Sequence, residues 1–261
     1  NTRQRARIYY ADFLSTIPKT KKFAMRDISS NKFISSLDEE FVVNLEPGSS
    51  FLSHGMAWRV VDITEKEVLA EPTSGLDIMI PSWTGEDIPV SFEVAQDVGR
   101  MRKLKDITPL PDDKTVIVEM VQDLVVIHAC FGTRINDTLS RVFSKQLSNL
   151  IGENVIAVSD PYRILGKLPF PVKEDHIKRA FEGLRNIKNQ LVDALEHSSL
   201  LKFKFLHVGR MFGLLSQDAN PNSRYIQMMR NSVVYEETVR SIFFRYFDVE
   251  KSEELLRKIR N

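Results

Sequence analysis

Apolar and polar positions follow two rhythms along this chain. From residue 22 to 80 the apolar positions come in short runs of β-branched and aromatic residues, cut at close spacing by turn-forming clusters. That is the pattern of strands. It predicts strands over residues 22–28, 41–45, 50–54, 58–63, 68–71 and 76–80. The turns between them fall at Ser29-Ser30-Asn31-Lys32, Pro47-Gly48, Thr64-Glu65-Lys66-Glu67 and Thr73-Ser74-Gly75. Many short strands with no helix between them predict a small antiparallel β-barrel, closed or nearly closed. Trp58 lies inside an alternating strand and is assigned to its core.

The rhythm then changes. Phe92, Val94, Ala95, Val98 and Met101 recur near a 3.6-residue period and predict a helix over 89–104, with Arg100, Arg102 and Lys103 in its last turn, where cations suit the helix dipole. Residues 107–113, with two prolines and two aspartates, break both periodicities. Beyond them strands are predicted over 115–121 and 124–130, joined at Gln122-Asp123. A helix with the apolar stripe Ile135, Leu139, Val142, Phe143, Leu147, Leu150 and Ile151 follows, ending at Gly152, and then a strand pair around Asp160-Pro161. Residues 173–197 predict one amphipathic helix through Ile177, Phe181, Leu184, Ile187, Leu191 and Leu195. Helices over 199–215 and 235–247, and one capped by Asp248, complete the chain around a polar loop at 217–222. The fold class expected is α+β: a β-barrel module followed by an α/β module with a helical C-terminal part.

Charge divides the chain more sharply than its overall balance of 36 Lys+Arg against 35 Asp+Glu suggests. Residues 1–26 carry seven Lys/Arg and one acid, whereas 27–93 carry three Lys/Arg and thirteen Asp/Glu. A basic arm, an acidic module and a mildly basic module follow one another. The single cysteine, Cys130, excludes an internal disulfide and fits a reducing cytoplasm, and five scattered histidines have no metal-ligand spacing. No apolar run approaches the roughly 20 residues of a membrane span. The start, Asn-Thr-Arg-Gln-Arg-Ala-Arg, reads as neither a secretory signal nor a natural beginning and predicts a piece of a longer protein.

Several chemistries are missing. No Gly-Lys-Ser/Thr loop follows a strand, so this piece is not expected to hydrolyse ATP alone. His128 and Cys130 alternate on one predicted strand, which makes a thiol–imidazole pair conceivable, but side chains so placed on an apolar strand pack rather than react. No catalytic constellation and no metal site is read from the chain.

Nucleic-acid contact is the chemistry that remains. Trp83, after Ser82 and between Pro81 and Gly85, is either a ring presented for stacking on an unpaired base or a plug in one barrel end. Arg3, Arg5 and Arg7, followed by Tyr9-Tyr10, can meet phosphates and bases or form a solvated face. Arg134 opens a helix, where a guanidinium and free backbone N–H groups can hold a phosphate.

A series of longer motifs runs in order through nearly the whole chain. It begins with Tyr9-Tyr10 and Leu14-Ser15-Thr16-Ile17-Pro18, then Ser36-Leu37-Asp38-Glu39-Glu40-Phe41-Val42, and Pro47-Gly48 through Trp58-Arg59-Val60-Val61. Ile80-Pro81-Ser82-Trp83-Thr84-Gly85-Glu86-Asp87-Ile88-Pro89 and Phe92-Glu93-Val94-Ala95-Gln96-Asp97-Val98-Gly99-Arg100 come next. Val126-Ile127-His128-Ala129-Cys130-Phe131-Gly132-Thr133-Arg134-Ile135-Asn136 lies beyond the break, and Phe205-Leu206-His207-Val208-Gly209-Arg210-Met211-Phe212-Gly213 and Tyr235-Glu236-Glu237-Thr238 close the series. Together they resemble the large helicase-related (Lhr) proteins, ATP-dependent DNA and RNA helicases of superfamily two, in the region after the two motor domains and winged helix. The tail resembles archaeal members in particular.

The resemblance implies a division into a basic arm from a preceding, absent winged helix (1–21), a β-barrel module with a trailing helix (22–104), a linker (105–114) and the helicase-associated α/β module (115–261). The stretch from Leu104 to Pro111 is shorter than the family's usual one. ATP and magnesium are implied only for the absent RecA-like motors, so this chain needs no cofactor of its own. What the resemblance implies here is an accessory role in a 3′-to-5′ helicase, in repair or RNA metabolism. By the resemblance Trp83 is expected to stack on a base of the tracking single strand of DNA or RNA; the charge pattern adds Arg3, Arg5, Arg7, Arg100, Arg102, Lys103 and Arg134 as expected phosphate contacts, and Ser82 is expected to contact nucleic acid beside Trp83. The reading from another class is a protein-interaction and scaffolding region, with Trp83 and the aromatics Phe243, Phe244, Tyr246 and Phe247 packed on protein.

Overall fold

The computed structural model describes residues 4, 7, 21–73, 88–103, 112–196, 198–216, 219 and 221–260. Its strands are β1 (Lys22–Asp27), β2 (Phe33–Asp38), β3 (Ser50–Ser53), β4 (Met56–Ile63), β5 (Glu67–Pro72), β6 (Ile117–Val121), β7 (Leu124–His128), β8 (Ile156–Asp160) and β9 (Arg163–Lys167). The helices are α1 (Glu39–Val42), α2 (Phe92–Lys103), α3 (Thr133–Ile151), α4 (Glu174–Glu182), α5 (Ile187–Leu195), α6 (Ser199–Met211), α7 (Ser223–Met228), α8 (Val233–Tyr246) and α9 (Val249–Arg260). Two compact units result, Asn1–Glu86 with Ser199–Thr238 and Asp87–Ser198 with Val239–Asn261.

In the first unit five strands form one sheet in the order β2-β1-β5-β4-β3, with β1 and β5 parallel and the other neighbours antiparallel. The expected closed or nearly closed barrel is therefore corrected: this is an open, curled half-barrel. Register shifts at Met25/Arg26 and Val60/Asp62 bend the strands, and the curl brings its outer strands together through buried Ser35 and Ser53, whose hydroxyl oxygens lie 3.3 Å apart. Among the described residues, this side-chain contact stands where a backbone ladder would close a barrel. Met25, Leu37, Phe51, Trp58, Val60 and Val68 fill the concave side. Trp58 is in this core as expected, its indole N–H donating to the Ser53 carbonyl at 3.3 Å.

Within the half-barrel two elements differ from the sequence reading. Residues 33–38 form β2, where no strand is predicted, and the strand predicted over 41–45 is replaced by the short helix α1 and a turn. The helical turn buries Phe41, Val42 and Leu45 on one side, and the same step puts Glu39 in the interior. The strand predicted over 76–80 lies outside the described residues.

The second unit is a four-stranded antiparallel sheet, β6-β7-β9-β8, with α3 packed on β8 and β9. Ile135, Leu139, Val142, Phe143 and Leu147 of the α3 stripe are buried, whereas Leu150, expected with them, is exposed and Ile151 half-buried where the last turn runs past the sheet; Gly152 ends the helix in the left-handed conformation at φ 76°, donating to the Ser148 carbonyl. The predicted helix over 173–197 is instead two. It breaks at 183–186, where Asn186 adopts φ 52°. Asp248 does cap α9, accepting the Lys251 N–H at 3.0 Å. Among the described residues no helix is long and apolar enough to cross a membrane.

Candidate nucleic-acid interface

The second unit holds a cleft of about 330 Å³ where the strap 88–91 crosses the start of α3. Gly132 makes the crossing possible. It sits at φ 83°, and a Cβ built there would lie 2.7 Å from the Val90 carbonyl oxygen and 2.9 Å from that of Ser91, so only glycine lets the strap this close. Thr133 N–H donates to the Val90 carbonyl at 3.0 Å and the Val90 N–H donates back to the Thr133 hydroxyl at 2.9 Å. Gly132 N–H donates to the Pro161 carbonyl. The strap, the sheet and the helix start are thus tied at one point.

Around it stand Phe92, Phe131, Glu93, Arg134, Asp248 and Lys251. The rings of Phe92 and Phe131 lie 6.5 Å apart, and the Lys251 ammonium is 5.0 Å from the Phe92 ring centre, within cation–π reach. Lys251 also binds Glu254 at 2.8 Å; that carboxylate, shared with Lys258, holds the ammonium pKa above its ordinary value and is itself lowered to about 2. Glu93 is held below the usual carboxylate range by its own backbone N–H, by Ser91 and by Lys251. Asp248 is engaged as a cap. Arg134, by contrast, is exposed on the first turn of α3 and has no ion pair among the described residues. The cleft offers one available guanidinium and a half-buried aromatic edge.

The other expected contacts are spread out. Arg100 is exposed and pairs with Asp97 one turn earlier on α2. Arg102 turns inward instead: its guanidinium lies 5.3 Å from the Tyr162 ring centre and 3.5 Å from the Cys130 sulfur. Lys103 ends α2, and Arg7 is exposed. Arg3, Arg5, Ser82 and Trp83 lie outside the described residues. Phe92 and Lys251 are the site residues the sequence reading does not single out. Their places in the chain, Phe92 at a helix start and Lys251 three residues after a cap, give no local sign that they meet.

The thiol–imidazole pair does not form. His128 Nε2 lies 3.1 Å from Glu119 across the sheet, while Cys130 is buried, which pushes its thiol pKa up and away from the nucleophilic thiolate. Among the described residues no His, Cys, Asp and Glu side chains cluster as a metal would require.

Comparison with known proteins gives two family matches. The DEAD/H associated model covers residues 110–261, and that of the large helicase-related protein winged helix domain covers 4–79. The chain is 28% identical over 249 residues to the ATP-dependent helicase Lhr-Core protein 2 of Thermococcus barophilus, spanning 80% of this chain and 28% of that protein. It is 23% identical to the ATP-dependent helicase Lhr-Core of Saccharolobus solfataricus, over 88% of this chain and 34% of the relative, and 26% identical to that of Methanocaldococcus jannaschii, over 97% and 35%. The chain thus spans about a third of the length of these curated relatives. Among solved structures, the Mycobacterium smegmatis helicase Lhr bound to ssDNA and AMP-PNP matches with a TM-score of 0.55 at 18% identity, over 72% of this chain and 31% of that one. That likeness is one of fold. Residues 199–238 fall inside the DEAD/H associated match yet fold with the first unit.

Proposed function

We propose, on the footing that this chain belongs to the large helicase-related (Lhr) family of helicases and carries its DEAD/H associated region, that it is an accessory nucleic-acid-binding region of an ATP-dependent 3′-to-5′ helicase. It acts in the cytoplasm, contacts the tracking single strand of DNA or RNA, and couples that contact to RecA-like motors supplied by the rest of a longer polypeptide. The observation that carries the reading is the cleft of the second unit, which Arg134, with its available guanidinium at the amino end of a 19-residue helix, lines together with Phe92. Phosphate is the ligand such a corner suits, because the helix dipole adds to the guanidinium charge.

Trp83 supplies the base contact in this reading and Arg134 the phosphate contact, with the exposed Arg7 and Arg100 as further backbone contacts. Arg102 supports the fold from its place on Tyr162. The acidic first module is a flank that keeps displaced strand away, so charge reversal of several of its acids leaves strand affinity unchanged or raises it. The test is fluorescence anisotropy of a labelled single strand with the chain and with Trp83→Ala and Arg134→Ala, at low and moderate salt. A loss of 1–3 kcal/mol for Trp83→Ala, about five- to 150-fold in affinity, is the expected outcome for one stacked base. Absence of binding, or binding indifferent to both substitutions, overturns the reading.

A further inference from the structure

Among the described residues, the sheet of the second unit leaves one face open. Val125, Ile127 and Ile164 are buried on the side that α3 covers. Strand alternation and register therefore carry Val121, Leu124, Val126, Ile156, Val158 and Leu165 to the other side. Val121 is 60% exposed, and Ile156 and Val158 are each 61% exposed. Leu165 sits between Val126 and Val158 in a continuous row, with Leu124 and Ile156 in the next. The polar residues of this face are mostly taken up with one another: His128 with Glu119 at 3.1 Å and Arg163 with Asp160 at 2.5 Å. Lys167, between Leu124 and Ile156, has a stem long enough to lie along an apolar cover while its ammonium reaches water. Among the described residues, strands β6 and β8 each pair on one side only, so the sheet also presents two edges of the kind that folded proteins cover.

We infer that this face is the docking surface for a further domain of the same, longer polypeptide, one that presents an apolar surface of its own. The inference rests on the reading of the chain as part of a longer helicase. Size decides the kind of occupant. Four strands of five residues, at ~4.8 Å between strands and ~3.3 Å per residue, make a face of roughly 300 Å². A second copy or a freely diffusing partner needs about 800 Å² on each side for a stable complex. A domain joined through the same chain meets the face at an effective concentration in the millimolar range, and a few hundred Å² then holds it. The curated relatives extend to about three times the part matched here, which is ample polypeptide to supply such a domain.

The experiment is thiol labelling of Val158→Cys, compared between the 261-residue chain and the longer helicase polypeptide containing it. Cys130, the one cysteine of this chain, is buried, and with any cysteines in the rest of the longer polypeptide replaced by serine the introduced thiol dominates the reaction. Ile156→Cys is the second reporter, and cooperative melting checks that each variant folds. The expected result is rapid labelling in the 261-residue chain and labelling at least tenfold slower in the longer polypeptide, with no nucleic acid present. Equal rates in the two overturn the inference. So does slow labelling in the 261-residue chain: if it depends on protein concentration a second copy covers the face, and if not, the chain covers it itself. Protection that appears only when single-stranded DNA is added overturns it in favour of a nucleic-acid surface. Strand affinity measured on the same samples reports separately on the proposed function, since protection without strand binding keeps the docking face and removes the nucleic-acid role.

Discussion

Arg210 donates to both carboxylate oxygens of Glu39, at 2.9 and 3.1 Å, across 171 residues of sequence. Both side chains are almost wholly buried, and the Lys21 backbone N–H gives the same carboxylate a third hydrogen bond at 3.2 Å. Planar guanidinium and planar carboxylate meet as a fork, the strongest form of ion pair. The pair joins α6 to the short helix that leaves β2, and so makes one folded unit of residues that lie far apart in the chain.

Removing one partner leaves the other charged and buried, which costs ~3–5 kcal/mol. Arg210→Met or Glu39→Leu alone should destabilise the first unit by about that amount. The double substitution, which leaves no charge unpaired, should recover much of the loss. Trp58 reports the transition: in a Trp83→Phe background it is the sole tryptophan and lies in the half-barrel core. Urea titration of its fluorescence measures each variant, and additive losses in the double variant would show that the two side chains act independently.

His207 should make the same unit sensitive to acid. Its Nδ1–H donates to the Phe203 carbonyl at 2.9 Å, and Nε2 lies 3.8 Å from Glu39. Burial lowers its pKa more than the Phe203 carbonyl and Glu39 raise it, with Arg210 and Lys204 adding to the lowering. The folded form therefore keeps the imidazole neutral while the unfolded chain takes up a proton near pH 6.5. This contribution to stability is complete above that value and declines as pH falls through it toward the lower folded pKa. Denaturation midpoints from pH 8 to 5 should fall more steeply for the native chain than for His207→Gln; parallel curves would show that the imidazole does not titrate differently on folding.

Local periodicity made much of the second unit legible. The Gln122-Asp123 and Asp160-Pro161 hairpins, the α3 stripe with its Gly152 end and the Asp248 cap all depend on neighbours a few residues away. What the sequence did not reveal depends on distant ones. Residues 41–45 read as a strand because their apolar run fits either period, and the helical choice goes with Glu39 meeting Arg210. The spacing of Ile177, Phe181, Leu184, Ile187, Leu191 and Leu195 stays in phase across the break at 183–186, so periodicity alone hides it. In the cleft, Arg134 was legible from its place at a helix start. Phe92 and Lys251 were not, because 159 positions separate them and only the tertiary fold brings ammonium to ring.

Gly132→Ala tests whether the strap shapes the cleft. The added methyl group would meet two backbone carbonyls below 3 Å and sit at a positive φ, conditions that cost on the order of 1–3 kcal/mol. The strap carrying Val90 and Ser91 must move away from α3, opening the cleft at Arg134. A lower melting temperature together with a several-fold loss of strand affinity is expected. Loss of stability with affinity intact would place the strand elsewhere.

Salt dependence separates the two kinds of contact assigned to Arg134 and Trp83. A phosphate contact releases roughly 0.7 of a counterion on a single strand, so the logarithm of affinity falls with the logarithm of salt by that slope for each contact. Arg134→Ala should reduce the slope by about that much and weaken all sequences alike, because phosphates carry no base identity. Trp83→Ala should lower affinity by a similar factor at every salt concentration, since stacking releases no ions. The Arg134 effect therefore shrinks as salt rises while the Trp83 effect persists, and at moderate salt the tryptophan becomes the dominant contact. If Arg134→Ala leaves the slope unchanged, its guanidinium does not meet phosphate and the basic arm or Arg100 carries the electrostatic part of binding.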